Sequence, residues 1–122
     1  MTIHILALEK DLFFSVKMRD TLRHHDMEVK TVRTVSAFEQ NLGTTGEERP
    51  ALAIVNIATM GVDWENAIRQ ARIAGLQVLA FGSHMDLEAR AKALEAGANR
   101  VVANSKFTSD CLLYTSPSPR DS

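Results

Sequence analysis

The apolar positions of this chain change period repeatedly, and each change marks an element. Residues 2–8 alternate imperfectly and carry Ile3, Ile5, Leu6 and Leu8, which reads as a strand. From Leu12 to about His25 the period lengthens. Phe14, Met18 and Leu22 recur every four residues with Leu12 and Val16 alongside, the stripe of an amphipathic helix. Residues 27–34 alternate Met27, Val29, Thr31 and Arg33 with Glu28, Lys30, Val32 and Thr34, and their charges suit a lightly buried edge strand. Ser36 and Glu39 have capping-box spacing and open a short helix through Leu42. Residues 51–55, Ala-Leu-Ala-Ile-Val, are an apolar run opened by Pro50 and closed by Asn56. Too short for a helix, the run reads as a buried central strand.

The second half repeats the alternation. Asp63 is placed to cap a helix to about Ala74, with Trp64, Ile68, Ala71 and Ile73 on its apolar side and Gly75 as its stop. Residues 76–82 read as a fourth strand. Ser83 and Asp86 repeat the capping spacing before a helix carrying Leu87, Ala91 and Leu94, which Gly97 ends. Residues 99–103 are a fifth strand. Connections between the strands are too long for hairpins, so the pattern specifies an α/β fold with a parallel sheet covered on both faces. Right-handed crossovers leave few topologies, and a flavodoxin-like order 2-1-3-4-5 is expected. In such sheets the working site lies beyond the carboxyl ends of the strands, where Asn56 stands.

A fifth helix should follow residue 107, but the composition breaks there. Residues 111–122 hold the only Cys, the only Tyr and two of the three prolines. This segment resembles the translation of a sequencing adapter. The expected organisation is therefore a domain over residues 1–110, with its fifth helix truncated, and a non-native tail over 111–122. An exposed apolar strip beside the first helix, along one flank of the first and fifth strands, is expected as a result.

Composition narrows the function classes. With 122 residues, 45% hydrophobic and net charge −1, the chain fits one small domain without a basic stripe for nucleic acid. No apolar run approaches the roughly 20 residues that span a membrane, and a cytoplasmic protein is expected. His24 and His25 point about 100° apart on a helix and fit a solvated helix end better than a metal site. The loop at residues 43–50 lacks the spacing of a phosphate cradle. No nucleophile, base and orienting group assemble at spacing, so an enzyme is not expected.

The order of elements resembles the receiver domain of bacterial two-component response regulators, over residues 1–110. Ile3 to Leu8 with the polar residues after it resembles the acidic first turn of that family. Residues 51–61 resemble its phosphoacceptor strand, and Gly97-Ala98-Asn99-Arg100-Val101-Val102 resembles the entry to its last strand. The resemblance implies an aspartate nucleophile, two acids for magnesium, a hydroxyl and a lysine. Magnesium wants anionic oxygens, and a phosphoryl group needs compensating positive charge. Here the nucleophile position is Asn56, and the acidic pair is Glu9 and Lys10. Gly82 holds the hydroxyl position with Ser83 adjacent, and Asn104 holds the lysine position with Lys106 two residues on. All five positions are changed or displaced. Magnesium binding should be weak or absent, with no other cofactor.

The resulting expectation is a pseudo-receiver that signals through protein contact, with a protein partner or a second copy docking at the fourth helix and fifth strand. One alternative is a phosphoacceptor regulator with a diverged site. Another is a small-ligand or cofactor domain, flavin or cobalamin binding for example, on the same architecture. Lys10 can replace magnesium by pairing with Glu9 or the Asn56 carbonyl, or be a solvated turn residue. Trp64 can anchor a partner or pack on its own helix, and His84 can act near the strand ends or bond locally in a helix turn.

Overall fold

The computed structural model describes residues 3–58, 61–82 and 87–103. Its strands are β1 (Ile3–Leu8), β2 (Met27–Val32), β3 (Leu52–Asn56), β4 (Gln77–Gly82) and β5 (Arg100–Ala103). Helices α1 (Leu12–Arg23), α2 (Val35–Leu42), α3 (Trp64–Ile73) and α4 (Leu87–Ala96) alternate with them. The sheet is wholly parallel in the order β2-β1-β3-β4-β5, as the alternation predicted. β3 stands at its centre and is buried from Leu52 to Val55. Strand neighbours and helices on both sides leave such residues no exposed face, which is why the run is apolar throughout.

Two apolar layers flank the sheet. On one side Leu6, Leu8, Ala53, Val55, Val78 and Ala80 meet Phe38 of α2, Ile68 of α3 and Ala93 of α4. On the other, Ile5, Ala7, Ile54, Leu79 and Phe81 meet Met18 and Leu22 of α1. Phe14 extends that contact: its ring stacks on Phe81 with centroids 5.4 Å apart.

Several expected details change. Leu12 and Val16 turn away from the core and are exposed, because the core stripe of α1 runs through Phe14, Met18 and Leu22 on the opposite side. Thr34, not Ser36, caps α2, accepting from the Ala37 N–H at 3.1 Å. Glu39 instead accepts from the Asn66 amide of α3 at 3.0 Å. Ile73 is exposed, and Ala67 takes the inward place on α3 beside Ile68 and Ala71. On α4 the expected apolar side is reversed. Ala93 and Ala96 are buried, while Leu87 and Leu94 are 85% and 46% exposed and Ala91 faces solvent with them. The small side chains let α4 approach the sheet and α3 closely, so the leucines cannot share that face.

The apolar strip expected along the sheet flank is not there either. Ile5, Ala7, Leu79, Phe81 and Val102 are all buried. The strip that is exposed lies on the outer face of α1. Asp11 and Asp63 are helix caps, accepting from Phe13 and Phe14, and from Asn66, respectively. Trp64 is half-buried and packs against the α2–α3–α4 layer. The expected fifth helix, the boundary at residue 110, the cap at 83–86 and His84 lie outside the described residues.

Candidate functional site

The strands' carboxyl ends converge on a small polar cluster. Parallel pairing of Leu8 with Val55 brings the next residues, Glu9 and Asn56, side by side. Glu9 continues the line of β1: its N–H donates to the Val32 carbonyl at 2.9 Å, and the residue is only 1% exposed. A buried carboxylate is costly unless its lone pairs are filled. Here they are. Asn56 Nδ2 donates to Glu9 Oε1 at 2.9 Å and to Oε2 at 3.1 Å, and the Asp11 N–H donates to Oε2 at 3.0 Å. The other end of the Asn56 amide accepts from the Ala58 N–H at 2.8 Å. Only this orientation of the amide satisfies both neighbours.

Burial pushes the Glu9 carboxyl above its ordinary value, and the nearby Asp11 charge adds to the rise. The Asp11 N–H and the Asn56 amide oppose it, since bonds to the charged form favour that form. The cluster is a carboxylate held between an amide and the first turn of α1. It offers no nucleophile, because an amide whose donor and acceptor are both engaged has neither charge nor a free lone pair to spend.

Lys10 is exposed, and among the described residues it forms no ion pair with Glu9 or Asn56. Its ammonium instead leans across the top of the sheet, 3.9 Å from where a Cβ on Gly61 would sit. Of the two readings of Lys10, the structure gives the solvated turn residue. Gly82 is buried at the end of β4, paired with Ala103 of β5. Ser83, Asn104 and Lys106 lie outside the described residues. A divalent cation does not suit the described donor set: both Glu9 oxygens are taken, and the adjacent acidic position carries an ammonium. Among the described residues no group of three His, Cys, Asp or Glu could hold a metal ion, and no helix is long and apolar enough to cross a membrane.

One partner escaped the sequence reading, the Ala58 N–H. Its signal was present, since an asparagine at a strand end commonly bonds the backbone two residues on.

No family model and no curated protein matches the chain. Solved structures do. A CheY-like response regulator receiver domain protein from Methanospirillum hungatei JF-1 superposes with a TM-score of 0.77 at 18% identity, covering 93% of this chain and 90% of its own. A two-component response regulator from Clostridium difficile gives 0.78 at 11%, covering 93% and 95%. The beryllofluoride-activated receiver domain of DrrB gives 0.77 at 18%, covering 93% and 97%. At these identities the likeness speaks for architecture, and the architecture of this chain is that of a response-regulator receiver domain.

Proposed function

We propose that this domain is a receiver-like signalling module that acts by protein contact, independently of aspartate phosphorylation. The observation that carries the reading is the closure of Asn56 onto Glu9 and Ala58, which leaves the phosphoacceptor place with a fully engaged amide. An acyl phosphate cannot form there. The role fits a bacterial signalling protein of the cytoplasm, with magnesium bound weakly at most and no nucleic acid contacted through this domain.

The partner surface we assign is α4. Leu87, Ala91 and Leu94 lie within one side of that helix and face solvent. Single exposed leucines are ordinary, but a stripe at i, i+4 and i+7 is the pattern a facing helix reads. The Glu88–Lys92 pair at 3.6 Å borders it with charge.

The test is acetyl phosphate, or beryllofluoride with magnesium, added to labelled protein while its amide spectrum is recorded. The spectrum should stay unchanged. Specific shifts around residues 9, 56 and 106 would favour the diverged phosphoacceptor instead, for which the retained Glu9 carboxylate is the supporting observation. Colour or a bound mass on purification would favour the cofactor domain.

A further inference from the structure

The outer face of α1 is apolar where a solvated helix should be polar. Phe13 is 91% exposed, Leu12 61% and Val16 48%. They form a shallow groove with Lys17, Asp20 and Thr21, along the rows 12–16–20 and 13–17–21. Rows at i±4 are the ridges that interlock when two helices cross. This face lies opposite the core stripe of Phe14, Met18 and Leu22, so neither apolar layer of the core accounts for it. It belongs to a different helix from the α4 surface, and a contact there is independent of the proposed signalling role.

We infer that the outer face of α1 is a contact between two copies of this chain, packed antiparallel about a two-fold axis near Phe13. The charges on the helix are what select a second copy. Asp11 precedes the apolar triad and Lys17 follows it, and neither forms an ion pair within the chain among the described residues. Turning a second α1 end over end sets Leu12 of each copy against Val16 of the other. The two Phe13 rings then meet at the axis, and Lys17 of each lies by Asp11 of the other. A two-fold contact must be complementary to itself, and a stripe ending in opposite charges meets that condition. Asp11 is already oriented, because its carboxylate caps α1.

Area sets the strength. The exposed parts of a Phe, a Leu and a Val amount to roughly 300–400 Å² per copy, against the ~800 Å² per partner of a standard interface. The dimer is therefore weak, forming at high micromolar concentration.

Sedimentation velocity of the full chain, from low micromolar to about millimolar concentration, reads it directly. The wild type should shift from monomer to dimer across that range. Phe13→Glu should stay monomeric throughout with an unchanged unfolding midpoint, since the side chain touches no core. Lys17→Glu should weaken association at least about tenfold. In a Cys111→Ser background, Phe13→Cys should form a disulfide-linked dimer on mild oxidation, because only at a two-fold axis does a residue meet its own copy. A wild type that remains monomeric at every concentration overturns the inference. So does a dimer that survives Phe13→Glu, including one that Leu94→Lys dissolves. If the monomer instead binds an added amphipathic helical peptide with shifts at residues 12, 13 and 16, the face serves a foreign partner and the two-fold contact is wrong.

Discussion

Replacing Asn56 with aspartate would set two carboxylates face to face. Asn56 Nδ2 lies 2.9 and 3.1 Å from the two Glu9 oxygens, and Glu9 is buried. The substitution removes contacts to a charged acceptor, worth about 1.5–3 kcal/mol for a hydrogen bond. It also adds a like charge. Two unit charges about 4 Å apart repel by roughly 4 kcal/mol at an effective dielectric constant of 20. The molecule has a cheaper course, in which one carboxyl keeps a proton and shares it with the other. Keeping that proton at pH 7 costs about 1.4 kcal/mol for each unit between the pH and an ordinary carboxylate pKa, or ~3 kcal/mol. Protonation therefore caps the penalty.

Asn56→Asp should lose about 3 kcal/mol at pH 7, a fall in Tm on the order of 10 °C. Urea unfolding of wild type and variant across pH 5 to 7 checks the origin. The difference should shrink by about 1.4 kcal/mol per unit as the pH falls. Magnesium offers a second route to neutrality, so it should raise the variant's midpoint and leave the wild type's unchanged. A variant as stable as the wild type at pH 7, with no pH dependence in the difference, would refute the contact between the two side chains.

Four further outcomes test other parts of the structure. The raised pKa of Glu9 means the folded protein binds its proton more readily than the unfolded chain, so the wild type should lose stability relative to Glu9→Gln as the pH rises above 4.5, the ordinary value, through the folded one; paired unfolding titrations would read that slope. Gly97 has φ +123°, and an added Cβ would lie 2.7 Å from Arg72 Cγ, so Gly97→Ala should cost about 1–3 kcal/mol while Gly43→Ala, with φ −83° and ordinary contacts, costs far less by thermal melting. Asn99 accepts from the Val78 N–H at 2.8 Å and from Arg72 Nη1 at 2.9 Å; Asn99→Ala leaves a buried N–H unpaired and should lose about 1–3 kcal/mol in urea. On α4, Leu94→Lys should stay within about 0.5 kcal/mol of the wild type, whereas Ala93→Lys should fail to give a cooperative melt.

The sheet was legible because each strand is a short apolar run between turn residues, and the parallel order then follows from connection length and handedness. The pairing of position 9 with position 56 was legible for the same reason: both stand at the ends of strands that neighbour each other. Helix faces were harder. On α4 the leucines are the larger apolar residues, yet the sheet and α3 take the alanines. Periodicity finds a stripe but does not say whether space or solvent lies opposite it. The same ambiguity affected α1, where two apolar stripes share one helix and only packing tells them apart. The posture of Lys10 was open for a different reason, since a long side chain at a turn has several acceptors within reach and no local pattern chooses among them.

The engaged amide of Asn56 also bears on time. A signal written as a covalent phosphoryl group carries its own clock, because hydrolysis erases it whatever the partner does. A hydrogen-bonded closure between an asparagine and a glutamate has nothing to hydrolyse. Whatever this domain conveys must then start and stop with the encounter itself, timed by how much protein is present and how fast its contacts dissociate.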